Sequence, residues 1–288
     1  MRNQSNNFIS DLPGNLPSSQ KFQFYKFPTD FSVCFSGGID STFVACYFGL
    51  KYKKNVHLVT VDSGYGNLYP GFRNKHIHDI ERLLGGVKVR QTLFNTKAIF
   101  KEILINSIKD DYHRYKSNFI WCLGCTLSLH TYMIIYNLAR LIPKSFYCSS
   151  VGGHKFAVMS IPVTVDAMKK IYASYGIIFS TPLLDLQILK RDEKKQLRQW
   201  SIWPGLVVGK GTLGVQPICI PGFLQHWKDI FFNLHPIYNN EKVSDFIKRK
   251  TPIMNRLISH YLKTSGVSLN ESKRKLLLAN RSYLQYGD

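Results

Sequence analysis

The chain has 288 residues, of which 44% are hydrophobic and six are cysteine. Lysine and arginine number 38 against 18 aspartate and glutamate, so the formal net charge is +20. This length predicts one large α/β domain, alone or with a helical appendage, and no apolar run approaches the ~20 residues of a membrane span. The positive charge favours a polyanionic partner, with RNA first, although a lysine-rich compositional bias would produce the same excess.

The chain divides into three predicted parts. Residues 1–27 contain Pro13 and Pro17 and are predicted to form an arm across the surface. Residues 28–222 are predicted to form an α/β domain, and residues 223–288 a basic helical region. The polar N-terminus is not typical of a signal peptide, and the cysteines have no extracellular context. We therefore expect a cytoplasmic protein without a disulfide framework.

The most informative stretch joins an apolar strand to a helix. Residues 31–35 are typical of a buried parallel strand, and residues 43–48 of an apolar helix. Between them stand small and hydroxyl-bearing residues and one acid: Ser36, Gly37, Gly38, Asp40, Ser41 and Thr42. A strand, a glycine turn and a helix N-terminus aim backbone N–H groups at one point, which predicts a phosphate-binding loop. Asp40 offers a carboxylate for Mg²⁺ beside the phosphates, while an ordinary helix N-cap is the alternative interpretation.

The segments after this loop alternate between predicted strands and helices. Strands are predicted over 55–61 and 87–93, and helices over 72–84 and 97–109. This alternation predicts a Rossmann-like, doubly wound parallel sheet of the α/β class. Asp62 and Ser63 follow the second strand, at the edge where such sheets bind ligands. They are candidates for contacting a nucleotide, and a simple strand-end turn is the alternative.

Three of the six cysteines form a candidate metal or sulfur site. Cys122 and Cys125 form a Cys-x-x-Cys pair at the predicted start of a helix, within reach of one metal or one partner sulfur. Cys219 stands between two prolines, which predict a fixed loop without regular structure. The other cysteines are predicted to be inert core residues: Cys34, Cys46 and Cys148.

The loop resembles the Ser-Gly-Gly-x-Asp-Ser signature of the PP-loop ATP pyrophosphatases. The matching residues are Ser36, Gly37, Gly38, Asp40 and Ser41. That family releases pyrophosphate from ATP and leaves AMP on a substrate. The resemblance therefore implies ATP and Mg²⁺ as ligands and the adenine nucleotide alpha-hydrolase fold for residues 28–222. It does not identify the acceptor.

The cysteine pattern extends this resemblance to the tRNA 2-thiocytidine synthetases and related thiolases. Those enzymes carry Gly-His after the strand that follows the Cys-x-x-Cys helix, and Gly153 and His154 stand there in this chain. The resemblance implies that these two residues contact ATP and that Cys122, Cys125 and Cys219 hold a 4Fe-4S cluster. The Asp-Asp that follows in the family is replaced here by Lys-Phe-Ala, which departs from the family's nucleotide contacts.

A second resemblance is to ThiI-like PP-loop proteins. The shared features are Cys-Leu-Gly-Cys, a Tyr-Gly-Ile segment followed by Thr-Pro, and a late Pro-x-Cys. The two resemblances imply a tRNA sulfurtransferase in which Asp40 and the three cysteines are catalytic. They imply tRNA as the partner, leave room for a sulfur donor protein and for a homodimer, and give no role to a membrane.

Two other functions stay open at this point. One is amidation or another ligation of a small molecule, as in the deazaguanine nitrile synthase, with structural Zn²⁺ on the cysteines. The other is a nucleotide- or RNA-binding module without catalysis, because the sequence after His154 departs from the family. Formation of AMP and pyrophosphate from ATP would separate this module from both enzymes.

The last third of the chain is the most basic, with 17 Lys or Arg against 7 Asp or Glu from residue 190 onward. A basic helix is predicted over residues 191–200 and another near residue 246. Pro252 is predicted to break the second helix. Its cations are predicted to lie on the surface and to contact tRNA phosphates: Lys248, Arg249 and Lys250.

Overall fold

A computed structural model describes residues 30–65, 67–68, 73–149, 157–203, 206–207, 212–213, 218–219 and 238–286. Within these residues the strands are β1 (Phe31–Cys34), β2 (Val56–Asp62), β3 (Asn67–Leu68), β4 (Val89–Asn95), β5 (Lys144–Phe146), β6 (Ile178–Ser180), β7 (Leu206–Val207), β8 (Thr212–Leu213) and β9 (Ile218–Cys219). The helices are α1 (Ile39–Tyr52), α2 (Arg73–Leu84), α3 (Lys97–Ile103), α4 (Ile108–Tyr115), α5 (Phe119–Arg140), α6 (Pro162–Ser174), α7 (Pro182–Asp185), α8 (Lys190–Gln199), α9 (Asn240–Thr264) and α10 (Leu269–Tyr286).

Five of the strands form one parallel sheet, in the order β4-β2-β1-β5-β6. Phe31 of β1 stands opposite Val56 of β2 on one side and Lys144 of β5 on the other. The chain thus builds outward from β1 through β2 and β4, and then returns to build β5 and β6. The switch point lies between β1 and β5, where doubly wound sheets bind their ligands. The predicted α/β fold with a parallel sheet is confirmed.

Helices cover both faces of the sheet because the central strands are apolar on both sides. Val56 and Leu58 of β2 belong to an apolar cluster with α1 and α2, whereas Val59 belongs to a second cluster with α3, α5 and α9. Neighbouring residues of a strand point to opposite faces, so one strand contributes to both clusters. The loop between β1 and α1 is therefore mounted on a sheet that is buried on each side.

Helix α5 is the centre of the larger cluster. By length and composition it could cross a membrane, but most of it is buried inside the protein, as the core helix of an α/β layer would be. Polar contacts fix it against the sheet: the Tyr136 hydroxyl lies 2.8 Å from Nδ1 of His57 on β2 and 3.3 Å from the Thr92 hydroxyl on β4. The Cys-x-x-Cys pair therefore starts a helix that is held against the central strands.

The segment after β4 differs from the sequence prediction. A single helix over 97–109 is predicted, but α3 ends at Ile103 and a 3₁₀ turn, Ile105–Ser107, separates it from α4. The Ser107 hydroxyl donates to the Leu104 carbonyl (3.3 Å), and serine side chains that bond nearby backbone compete with helix continuation.

The C-terminal helices pack into the same core as the sheet. Phe246, Met254 and Ile258 of α9 are buried in the cluster that contains α5. Pro252 lies inside α9, which continues to Thr264, so the predicted break there is wrong. The buried apolar residues on both sides of the proline hold the helix together. The predicted domain boundary near residue 222 lies outside the described residues.

The prediction of three surface cations on α9 is also wrong. Lys250 is buried, and its Nζ lies 2.5 Å from Asp111 of α4 and 2.6 Å from the Ser107 hydroxyl. Arg249 is exposed by about two-fifths but lies 3.5 Å from the same carboxylate. Two of the three cations thus neutralise a buried acid, and Lys248 alone is exposed without such a contact among the described residues.

Candidate functional site

The loop between β1 and α1 is held in shape by its own polar groups. Gly37 has a φ of +76°, a left-handed conformation that favours glycine. The Ser36 hydroxyl accepts a hydrogen bond from the Gly38 N–H (3.3 Å) and lies 3.3 Å from the Ser41 hydroxyl. The Ser41 hydroxyl also lies within donating distance of the Gly38 carbonyl (3.2 Å). A compact glycine turn therefore leads into α1 at the switch point of the sheet.

The first turn of α1 can receive an anion. Gly38 is the N-cap residue, and no side chain caps the helix start. The helix dipole places partial positive charge at this end. Thr42 is buried, and its hydroxyl has no hydrogen-bond partner among the described residues. A buried hydroxyl of this kind is suited to donate a hydrogen bond to a bound ligand.

Asp40 forms an ion pair with Lys190, the first residue of α8. The Asp40 side chain is 13% exposed, and that of Lys190 is 33% exposed. Burial lowers the pKa of Lys190, an effect that Glu193 opposes and Lys194 reinforces. The carboxylate that was predicted to hold Mg²⁺ therefore already has a cation beside it. The sequence predicts a basic helix over residues 191–200, directly after Lys190, but no local pattern places the Lys190 side chain at the loop.

Glu193 is the second group on α8 that sequence reasoning missed. It is fully buried, and Lys190 lies 3.8 Å from it. Neither of its carboxylate oxygens has a hydrogen bond to a described residue. Burial raises its pKa to about 7, although Lys190 and Lys194 pull in the opposite direction. Lys190 thus contacts both Asp40 of the loop and the titratable Glu193.

The two candidates at the end of β2 stabilise their own turn. The Asp62 carboxylate accepts from the Gly64 N–H (2.9 Å), and the Ser63 hydroxyl accepts from the Tyr65 N–H (3.4 Å). The Asp62 carbonyl accepts from the Thr96 N–H (2.7 Å), which ties this turn to the end of β4. These contacts account for the polar pair as a strand-end turn, so nucleotide contacts by Asp62 and Ser63 stay a prediction.

Cys122 and Cys125 lie in the opening turns of α5, as predicted for the Cys-x-x-Cys pair. Both are half-buried and pack at the margin of the larger apolar cluster. The Thr126 hydroxyl donates to the Cys122 carbonyl (2.8 Å), which secures the first turns of the helix. Two thiols one turn apart can act on one metal or one sulfur atom.

Cys219 lies in β9, so the prediction that it lacks regular structure is wrong. Its backbone pairs with Asn67 of β3 in a short antiparallel ladder, in which Ile218 pairs with Leu68. β3 follows the turn at Asp62, so the pairing ties the Cys219 segment to the strand that starts just beyond that turn. Among the side chains that the structure describes, no group of three His, Cys, Asp or Glu is arranged to hold a metal ion, and the Cys219 side chain lies outside them.

Four cysteines, among them the Cys-x-x-Cys pair, lie near Tyr147, just after β5. Burial raises the pKa of the Tyr147 hydroxyl well above its ordinary value, and four neighbouring cysteines add to the rise: Cys34, Cys148, Cys125 and Cys122. Burial also raises the pKa of Cys34 to about 12, with a contribution from Cys125. Such thiols stay protonated and unreactive at neutral pH, which agrees with an inert role for Cys34.

His130 is a core residue of α5. It is buried, its Nδ1 lies 2.9 Å from the Tyr172 hydroxyl, and burial lowers its pKa to about 3. The contact with the Tyr172 hydroxyl fixes this imidazole inside the core, between α5 and α6. Gly153 and His154, the remaining ATP-binding candidates, lie outside the described residues.

Comparisons with known proteins find similarity to solved structures alone. No protein-family model matches the chain. No curated protein matches it either. Among solved structures, the chain is similar to the U34-tRNA thiolase NcsA from Methanococcus maripaludis with its 4Fe-4S cluster, at 12% identity and a TM-score of 0.38. The similarity covers 91% of this chain and 74% of that one, and at this TM-score it assigns no activity.

Proposed function

We propose that this protein cleaves ATP to AMP and pyrophosphate, using the loop between β1 and α1 to hold the phosphates. The observation that carries the proposal is this loop. Its glycine turn, with Gly37 at positive φ, leads into an uncapped helix N-terminus at the switch point of a parallel sheet. Backbone N–H groups and a helix dipole at such a point favour a bound phosphate.

The loop residues have distinct roles in the proposed reaction. Ser36, Ser41 and Thr42 donate hydroxyl hydrogen bonds to pyrophosphate oxygens, and Gly37 and Gly38 let the backbone approach them. Asp40 would hold Mg²⁺, which supplies positive charge against the charge that develops on the leaving pyrophosphate.

Lys190 then exchanges partners. Without substrate it pairs with Asp40. When phosphate oxygens occupy the loop, the ammonium group of Lys190 can turn to them and leave the Asp40 carboxylate for the metal. A cation within one side-chain length of the loop is suited to neutralise a leaving group.

The proposed reaction requires an acceptor that carries a carbonyl group. A carbonyl oxygen of the acceptor attacks the α-phosphorus of ATP, the new oxygen–phosphorus bond forms, and pyrophosphate leaves with the electron pair of the broken bond. A sulfur nucleophile then adds to the activated carbon, and AMP leaves with the former carbonyl oxygen. The product is a thiocarbonyl compound, and we propose that tRNA is the acceptor because the net charge is +20.

Three cysteines are proposed to supply or bind the sulfur. Cys122 and Cys125 offer two half-buried thiols one turn apart, and such thiolates suit a 4Fe-4S cluster or zinc. With Cys219 as the third ligand, a cluster would supply an iron site for sulfide. The protein's own contribution is to hold the Cys122 and Cys125 thiols beside the carboxyl edge of the sheet.

Nucleoside mass spectrometry of bulk tRNA tests the acceptor and the nucleophile together. Cells with and without the gene are compared, and we expect one thiolated nucleoside to be missing without it. If an amidated nucleoside is missing instead, the nucleophile of the reaction is nitrogen rather than sulfur. An unchanged set of nucleosides would contradict tRNA as the acceptor.

A further inference from the structure

Helix α8 separates its residues into a buried face and a strongly basic exposed face. Glu193 and Leu197 are buried against the body of the protein. The exposed cations recur at helical spacing, i, i+3, i+4 and i+7: Arg191, Lys194, Lys195 and Arg198. Residues at this spacing lie on one side of a helix. We name these four residues the α8 basic face.

The α8 basic face is only weakly neutralised. Asp192 lies 3.7 Å from Arg191, and both side chains are more than half exposed. No hydrogen bond or ion pair joins Lys194, Lys195 or Arg198 to another side chain in the described part of the chain. Exposed cations without acidic partners keep their charge available for an anion.

An open depression of about 500 Å³ lies on this face, and the described residues that line it are the four cations and Gln199. That volume lies in the range of small-molecule sites, and the depression is open to solvent, as a site that receives one part of a long chain would be. Guanidinium and ammonium groups are the usual partners of phosphate oxygens, and Gln199 adds an amide that can donate as well. The lining therefore matches a sugar–phosphate unit.

The face is next to the phosphate loop. Lys190 begins α8 and pairs with Asp40 of the loop. At the other end of the helix, the Trp200 ring stacks on Phe43 of α1 at 5.9 Å between ring centroids. Helix α8 thus lies alongside α1, with its first residue at the loop.

We infer that the α8 basic face binds the sugar–phosphate backbone of an RNA acceptor and guides it toward the phosphate loop. The inference rests on the proposed function and gives it a binding surface. Phosphate contacts position a nucleic acid without reading its sequence. Within α8 every exposed residue is polar, and the exposed apolar residues Leu189 and Trp203 lie beyond its two ends, whereas a helix that inserts into an anionic membrane surface carries an apolar face of its own. We assign RNA binding to this face rather than to the three cations predicted on α9, because Lys250 of that set is buried.

The test is a charge-neutralised variant, Lys194→Gln/Lys195→Gln/Arg198→Gln, compared with a matched control, Lys109→Gln/Lys248→Gln/Lys263→Gln. All six residues are exposed, so both variants lose three charges without disturbing the core. The affinity for an unmodified tRNA transcript is measured at three salt concentrations by fluorescence anisotropy. Urea unfolding verifies that each variant is folded.

At 50 mM salt we expect the α8 variant to bind tRNA on the order of 10²-fold more weakly than wild type, with a log–log salt slope shallower by roughly 2 to 3. The control variant keeps most of the wild-type slope. A folded α8 variant with the wild-type slope overturns the inference. So does loss of binding to anionic lipid vesicles with tRNA binding unchanged.

The ATP reaction separates this inference from the proposed function. If wild type forms AMP and the α8 variant binds tRNA normally, the surface is wrong and the proposed function stands. If wild type forms no AMP but the α8 variant loses tRNA binding, the surface stands and the proposed function fails.

Discussion

At the residue scale, the fully buried Glu193 makes stability depend on pH. Its pKa rises from 4.5 to about 7 on burial. As pH increases through this window, the unfolded state releases the proton before the folded state does, so stability falls. Ionisation therefore destabilises the fold at high pH by up to about 3 kcal/mol.

Glu193→Gln removes this ionisable group and keeps the size of the side chain. We expect the free energy of unfolding of the variant to gain on wild type as pH rises from about 4.5 to 8, because only wild type must then carry a buried charge. Urea unfolding at pH 5 and pH 8 measures the gain. Glu241→Gln, on the exposed start of α9, is the control. Equal effects of Glu193→Gln at the two pH values would contradict the assignment.

Sequence alone could identify the loop residues but not Glu193. The Gly37-Gly38 turn and the hydroxyls around it form a local signal, which six consecutive residues contain. Glu193 stands among lysines in a strongly polar helix, where a carboxylate usually faces solvent. Its burial depends on α8 packing beside α1, about 150 residues earlier in the chain, and no local pattern reports that contact.

At the element scale, a buried ion pair connects α9 to α4. Lys250 contacts Asp111 at 2.5 Å, and the Asp111 side chain is fully buried. Nearby, the Tyr115 hydroxyl donates to Asp245 of α9 (2.8 Å), and Tyr115 and Phe246 pack with ring centroids 5.5 Å apart. The docking of α9 thus combines a desolvated charge pair with aromatic packing.

Lys250→Met leaves the Asp111 charge buried with Arg249 as its nearest remaining cation. We expect the free energy of unfolding to fall by about 3–5 kcal/mol, the usual effect of removing one partner of a buried pair. Lys248→Met, two residues away and exposed, should change it by less than about 0.5 kcal/mol. Urea unfolding midpoints of the two variants make the comparison. Similar midpoints would show that the pair contributes little.

The elements differ in how far sequence could predict them. β1, α1 and β2 follow from local apolar patterns, and their bounds differ from prediction by a few residues. The continuity of α9 through Pro252 does not follow, because the core contacts of Phe246 and Met254 outweigh the missing backbone hydrogen bond. Lys250 looks like part of a surface charge run until Asp111, 139 residues away, is seen beside it.

At the scale of the whole molecule, the proposed cysteine site predicts bound iron. Protein isolated without oxygen should be brown, and Cys122→Ala and Cys125→Ala should each lose the visible absorbance and the iron. Cys46→Ala, in the core beside α2, is the control and should keep both. Metal analysis and absorbance spectra measure the result. Colourless protein that contains one zinc ion would contradict the iron prediction and indicate a structural role for the cysteines.

The net charge of +20 is counted from the sequence, but the surroundings of each cation depend on the fold. A count along the chain directs attention to the last third. Helix α8 opens that third, and the structure places four exposed cations on one side of it, next to the loop between β1 and α1. A charge count indicates the class of partner. Which surface binds that partner depends on which cations are exposed and which form ion pairs with buried acids such as Asp111.

The most direct measurement is the fate of ATP labelled at its α-phosphate, incubated with the protein, Mg²⁺ and tRNA. We predict labelled AMP together with pyrophosphate. Asp40→Asn should lower AMP formation by on the order of 10²-fold or more, since it removes the carboxylate proposed to hold Mg²⁺ beside the phosphates, whereas Asp110→Asn on the exposed side of α4 should not. Labelled ADP as the product, or undiminished AMP formation by Asp40→Asn, would contradict the account.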